Sequence, residues 1–422
     1  MSTSIHENPV YDLKISSVIP GKFTESGVTY EPTNMDLAMK LHYLLGLYFF
    51  PKEAVDGFTI SKIKESINTL FSSFSMYCGR FRRSDESSRR PYIKCNDAGV
   101  RMIEAKCKYT MEEFLEMKDC SLHKLLVYNQ VLGTPDLAIS PPVLIQVLLI
   151  FSLFTWFKCG GMSTGLSCAH VLGDAFLASH IIKSWGQLVS TGHLPHDLQK
   201  LEPITVIQEN RSFVDLQPFF KRVDPVGDYW KFVNNCNMIT SCFQINPAKL
   251  NNILLRINGQ CGTRHIPTFE CLCAIFWHSL AKIRTQAEPR VVTVCQNNSN
   301  RINDVHYGNN QIFGIVKAEC HVKDANPADL ATLMLDQTTH EQRQMDQVME
   351  KDGGLSDFVV YGANLIWKSP KSMKCMVEGV ADSGLVLVLP GPSNKGRTVT
   401  IILPENEILQ LKAELEKEWC IV

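Results

Sequence analysis

The sequence predicts two α/β domains of similar size, and three observations carry that expectation. The chain has 422 residues, more than a single hydrophobic core usually serves. Helix-period and strand-period segments alternate in both halves. Between Ser190 and Pro225 the periodicity dissolves, and Pro195, Pro203, Pro218 and Pro225 punctuate a polar stretch. The expected division is an N-terminal domain at 1–190, a crossover linker at 191–225 and a C-terminal domain at 226–422.

Taken in order, Asp56–Phe74 reads as an amphipathic helix, with Phe58, Ile63, Ile67, Leu70 and Phe74 at helical spacing. Tyr92–Cys95 and Val100–Glu104 read as strands around an Asn96–Gly99 turn, a hairpin signal. Val143–Phe157 holds fifteen residues without a charge. That run is shorter than a spanning helix needs and rich in β-branched and aromatic residues, so it reads as a buried strand with an extension, the alternative being a membrane-surface contact. A strand over Phe157–Ala169 is broken by Gly160 and Gly161, and a helix follows over Phe176–Val189 with Leu177, Ile181, Trp185 and Leu188 on its core stripe. In the second half Phe269–Ile283 is a helix with Thr268 as N-cap. Val291–Cys295, Gln311–Val316, Leu385–Leu389 and Val399–Leu403 read as strands, and Ile408, Leu411 and Leu415 mark a closing helix. No repeat or low-complexity tract occurs.

Composition excludes several functions. Lys plus Arg number 42 and Asp plus Glu 43, so there is no basic excess to draw nucleic acid. Fifteen Cys are scattered without a C-x-x-C pair, which argues against a zinc site or a disulfide framework and fits a reducing compartment. Met1–Lys14 is polar, so no secretory signal is expected. His123, His306 and His321 have no partner at metal spacing, and Trp277 and His278 fall inside a helix as structural residues, so no metal is expected.

One segment offers chemistry. His170-Val-Leu-Gly-Asp174 lies at the end of an apolar strand and directly before a helix, where side chains reach a site. An imidazole accepts a proton near neutral pH and can serve as a general base. Asp174 could hold the turn or fix the imidazole tautomer. A second match, His193-Leu-Pro-His-Asp197, sits in the proline-rich crossover and is set aside. Gly391–Thr398 approaches a phosphate-loop pattern, but Arg397 stands where that loop has Lys and a strand follows, so it reads as a hairpin turn.

Several segments together resemble the plant BAHD acyltransferases. They are the strand-His170-x-x-x-Asp174-helix unit, Met35–His42 leading to Tyr48-Phe49-Phe50, Cys78-Gly-Arg-Phe-Arg82, Cys95-Asn-Asp-Ala-Gly99-Val100, Phe269-Glu270 with Ala274 and Trp277, and Tyr307-Gly308-Asn309. That resemblance implies two domains of the coenzyme-A-dependent, chloramphenicol acetyltransferase-like fold. It implies His170 as the base that deprotonates an acceptor attacking an acyl-CoA thioester, and Asp174 as structural. It assigns no coenzyme A contact to a residue here, and no cofactor beyond acyl-CoA as substrate or ligand.

The chain departs from the family at three places. Ala175 follows Asp174 where the family has Gly, with Gly173 before it. The D-F-G-W-G segment is absent from Leu365–Asp382, which implies the loss of a strand there. The run before His170 is longer than the family's. With Phe157–Gly161, Gly165–His170 and Val360–Asn364, these features resemble the eceriferum/glossy branch. Membership there implies very-long-chain acyl-CoA elongation for cuticular wax, with a 3-ketoacyl-CoA synthase as partner, on the cytosolic face of the endoplasmic reticulum. The alternative is an ordinary acyl-CoA-dependent O- or N-acyltransferase in the cytosol.

Overall fold

A computed structural model describes residues 8–83, 91–117, 120–127, 150–195, 237–284, 286–297, 308–309, 311–337, 370–381, 383–391 and 396–421. In chain order its elements begin with β1 (Val10–Val18), β2 (Thr29–Tyr30), α1 (Asn34–Ala38), β3 (Tyr43–Phe50), α2 (Lys52–Val55) and α3 (Ile60–Phe71). Then come β4 (Arg80–Arg83), β5 (Pro91–Lys94), β6 (Val100–Cys107), α4 (Met111–Glu116), β7 (Ile150–Trp156), β8 (Met162–Ala169) and α5 (Ala175–Thr191). The second half supplies β9 (Met238–Ile245), α6 (Pro247–Asn258), α7 (Thr268–Ile283), β10 (Val291–Asn297) and β11 (Gln311–Lys317). It ends with β12 (Ser372–Glu378), β13 (Leu385–Pro390), β14 (Arg397–Pro404) and α8 (Glu405–Trp419).

The chain forms two compact units, and their boundary is not a single cut. The first contains 1–233, 304–309 and 362–379; the second contains 234–303, 310–361 and 380–422. Three short pieces of the expected C-terminal domain at 226–422, namely 226–233, 304–309 and 362–379, belong to the first unit. Most of the expected linker at 191–225 lies outside the described residues.

The first unit is built on a six-stranded sheet ordered β1-β6-β7-β8-β3-β12. Every pairing is antiparallel except β6 with β7. β3 reads Tyr-Leu-Leu-Gly-Leu-Tyr-Phe-Phe and is an inner strand with Tyr43, Leu47 and Phe49 essentially inaccessible. β12 pairs with β3 from Ser372↔Phe49 to Glu378↔Tyr43. The interval that lacks D-F-G-W-G thus still supplies a strand, contrary to the expected loss. Of the uncharged run 143–157, residues 150–156 form β7, with Leu153 and Phe154 buried; 143–149 lie outside the described residues. Phe157–Gly161 is the turn into β8 rather than strand, and Gly160 takes it through a positive φ of 85°.

Two helices cover part of this sheet. α3 is shorter than the amphipathic pattern suggests. The Thr59 side chain accepts from Lys62 N–H at 3.3 Å and sets its start, while Phe58 and Phe74 are buried outside it. α5 ends at Gly192, left-handed at φ 77°. Trp185 of α5 donates its indole N–H to Ser66 Oγ of α3 at 2.9 Å, which ties the two helices together.

The Asn96–Gly99 turn is not a hairpin. β5 pairs with β2 and β4 in a separate three-stranded sheet, while β6 runs in the large one. The Arg80 guanidinium holds the crossing by donating to the carbonyls of Ala98 and Gly99, each at 3.0 Å. Asp97, at φ 51°, accepts from the Thr24 backbone and hydroxyl at 2.7 Å. This explains why the Cys78–Arg82 and Cys95–Val100 motifs occur together.

In the second unit β13, β14 and β9 form one sheet and β10 pairs with β11. β13 and β14 are joined as the hairpin expected at 391–398, with Pro390 opposite Arg397. α7 is buried along most of its length, and Trp277 donates to the Pro289 carbonyl at 2.5 Å. Its first helical residue is Thr268; Pro267 occupies the N-cap and makes no side-chain bond, correcting the expected threonine cap. Ile408, Leu411, Leu415 and Trp419 seat α8 on the core. Among the described residues no helix is long and apolar enough to cross a membrane.

Candidate functional site

β8 carries the chain to His170. Its register with β3 puts Tyr43 opposite Ala169, so the backbone of His42 falls beside His170, and the His170 N–H donates to the His42 carbonyl at 3.0 Å. There β8 gives way to one turn of 3₁₀ helix, His170–Leu172. Gly173 then adopts φ 155°, and a Cβ on it would meet Leu177 Cδ2 at 2.5 Å. The φ favours glycine, and a larger residue would also have to displace the Leu177 side chain.

Asp174 is the N-cap of α5. Its Oδ1 accepts from the backbone N–H groups of Phe176 and Leu177, both at 3.0 Å. It is 3% exposed and turned to the helix that follows.

The carbonyl of His170 is held from far along the chain. Asn309 Nδ2 donates to it at 2.8 Å and to Asp36 Oδ1 at 2.8 Å, while the Asn309 backbone N–H donates to the same carboxylate oxygen at 2.8 Å. Gly308 pairs with Gly173 in an isolated parallel bridge. The other oxygen of Asp36 accepts from the backbone and hydroxyl of Thr33, each at 2.8 Å, and from Tyr30 Oη at 3.3 Å. Asp36 is wholly buried, and its carboxylate is met by donors on both oxygens. Burial, then the charge of Asp36, pushes the Tyr30 hydroxyl far above its ordinary range.

His170 is 6% exposed, and its Nδ1 has no hydrogen-bond partner. Burial lowers its basicity below the ordinary histidine value; its own backbone, Asn309 and the Asp36 charge oppose that without overcoming it. His42 presents a second ring edge-on, with centroids 6.4 Å apart and planes at 75°. Its Nδ1 is likewise unpartnered, and burial followed by repulsion from His170 lowers its basicity too. Burial thus disfavours the charged form of both rings. The Cys168 thiol, two residues before His170, is pushed up to about 12 by burial, which keeps it protonated and a poor nucleophile.

His170 thus stands among Asp36, His42 and Asn309, while Asp174, four residues on, caps α5. Asp36 and Asn309 stand 273 positions apart, and no local pattern links them. Of the discarded His193–Asp197 pair, His193 is exposed and Asp197 lies outside the described residues. His123 is buried with Lys374 Nζ at 3.0 Å, and His321 meets Glu288 at 2.8 Å. Among the described residues no group of three or more His, Cys, Asp or Glu could hold a metal ion.

Residues 15–356 match the family model described as the Transferase family. Protein ECERIFERUM 26 of Arabidopsis thaliana is 35% identical over 97% of this chain and 96% of its own length. Protein ECERIFERUM 2 of the same plant is 34% identical over 97% of this chain and 98% of its own. Among solved structures, vinorine synthase superposes with a TM-score of 0.68 at 16% identity, covering 97% of this chain and 98% of that one. TRI101 of F. sporotrichioides, solved with coenzyme A and T-2, gives 0.65 at 14%, covering 93% and 98%. At those identities the structural likeness shows the fold, which is the two-domain coenzyme-A-dependent acyltransferase fold.

Proposed function

This chain belongs to the Transferase family, the BAHD acyltransferases, in its eceriferum branch, and from that premise we propose that it promotes very-long-chain fatty acid elongation for cuticular wax. It does so beside a 3-ketoacyl-CoA synthase and shifts the acyl-CoA products to greater length. The observation that carries this reading is the match to the ECERIFERUM proteins over nearly all of both chains. The proposed location is the cytosolic face of the endoplasmic reticulum, held there through the synthase. Co-purification from microsomes tests the partnership. Recovery of the synthase with the tagged chain supports it, and absence from both native and reconstituted membranes refutes it.

A second reading has its own observation, the buried His170 whose Nδ1 has no hydrogen-bond partner. In an acyl-CoA-dependent O- or N-acyltransferase, His170 takes the proton of the acceptor. The acceptor oxygen or nitrogen then bonds to the thioester carbonyl carbon, the carbon–sulfur bond breaks, and the coenzyme A thiolate leaves with the proton. Asp174 acts there through the helix it caps. Acyl transfer to a panel of alcohols and amines that vanishes in His170→Ala supports this reading; no transfer across the panel counts against it.

A further inference from the structure

A base must present the right nitrogen. In a neutral imidazole one ring nitrogen carries the proton and only the other can accept one, and a hydrogen bond to the first makes that choice. Asp174 does not make it for His170, because its carboxylate is committed to the α5 cap. Two other atoms of this site are buried without a hydrogen-bond partner, His170 Nδ1 and Asn309 Oδ1. The orientation of the Asn309 amide is fixed by what it touches. Its Nδ2 meets the Asp36 carboxylate and the His170 carbonyl, both at 2.8 Å. A carboxylate and a carbonyl only accept, so the NH₂ faces them and Oδ1 is the atom left over. The backbone N–H of Asn309 donates to the same Asp36 oxygen at 2.8 Å, which pins the residue through main chain and side chain together. An amide oxygen accepts and an imidazole N–H donates, so the two unmatched atoms are complementary, and each is costly while it stays unmatched. Burial lowers the basicity of His170, and the groups that oppose it are first the residue's own carbonyl and next the Asn309 side chain, the sign an acceptor oxygen gives. The His42 ring responds instead to burial, to His170 and to the Met39 backbone.

We infer that Asn309 is a positioning residue whose Oδ1 accepts from His170 Nδ1–H, leaving Nε2 as the nitrogen that takes the acceptor's proton. The inference rests on the second reading above, in which His170 is the base, and adds what presents its reactive nitrogen. A turn of the imidazole about its terminal side-chain torsion, which is a soft one, closes the contact. A buried carboxylate, an amide and the base then stand in line: Asp36 holds Asn309, and Asn309 holds His170 by both its carbonyl and its ring. No proton passes to the amide. Nδ1 keeps its own, Nε2 gains one from the acceptor, and the amide oxygen steadies the imidazolium until that proton leaves with the coenzyme A thiolate.

Heteronuclear nitrogen NMR of the full chain, isotopically labelled at histidine and recorded above the pH range in which the rings charge, tests this. The His170 signals are those that disappear in His170→Gln. Wild type should show a pyrrole-type Nδ1 and a pyridine-type Nε2 at His170. Asn309→Ala should shift that residue toward the Nε2–H form that an unconstrained imidazole favours. Asn309→Leu, close to asparagine in shape, should do the same and serves if the alanine variant does not fold. A wild-type His170 in the Nε2–H form overturns the inference, whichever variants fold. An Nδ1–H signal unchanged in a folded Asn309 variant also overturns it, because the ring's own carbonyl then suffices. The readout needs no substrate, so it fails separately from the reading it rests on. An Asn309-dependent Nδ1–H form, in a chain that transfers no acyl group to any alcohol or amine, upholds the role of Asn309 and counts against His170 as a base.

Discussion

Asn309→Ala is expected to cost the first unit about 2.5–4 kcal/mol. The side-chain amide makes two bonds, one to the Asp36 carboxylate and one to the His170 carbonyl, both at 2.8 Å. A bond to a charged group contributes about 1.5–3 kcal/mol and a neutral one about 1 kcal/mol. Asn309 is 6% exposed and Asp36 is inaccessible, so water cannot replace the lost donor cheaply. The backbone N–H of residue 309 keeps its bond to Asp36, which confines the loss to those two contacts. Against a typical domain stability of about 5–15 kcal/mol, such a loss is large. Urea unfolding followed by tryptophan fluorescence measures it as a fall in midpoint at constant slope. A loss below about 1 kcal/mol would show that the Asp36–Asn309–His170 linkage does not hold the site.

Asp174→Ala removes the α5 cap and should cost about 1–2 kcal/mol by the same assay, whereas Asp174→Asn, which can still cap, should stay within about half a unit of wild type. Burial lowers the basicity of His170 and His42 in the folded chain, so the unfolded chain binds more protons just below pH 6.5. Stability should therefore be full above that value and fall as pH drops from about 6.5 toward the lowered folded values; His42→Gln should flatten the decline, and an unchanged decline would contradict it.

What was legible in the sequence was local. Helices α5 and α8 and the strand before His170 announce themselves through apolar spacing within a few residues. The His170–Asp174 unit was visible because a strand end, a turn and a helix cap fit in five positions. The remainder depends on long-range pairing. β12 has no clean alternation, and its place beside β3 is decided by backbone pairing across more than half the chain. The turn at Asn96–Gly99 has hairpin chemistry, yet Arg80 and Thr24 draw its two arms into different sheets. Asp36, His42 and Asn309 lay within segments that signal family membership, but their meeting at His170 requires the folded sheet. Thr268 offered a hydroxyl for a cap, and Pro267, preset in φ, took the N-cap instead.

The most direct test of the central claim is acyl-chain profiling by gas chromatography in yeast that co-expresses this chain with a plant 3-ketoacyl-CoA synthase. Wild type is compared with the synthase alone and with His170→Ala at matched protein levels. The account predicts longer acyl chains with wild type than with the synthase alone. Equal lengthening by His170→Ala would make the elongation role independent of the histidine, and its loss would place His170 in the mechanism. A chain-length profile identical to that of the synthase alone would contradict the account.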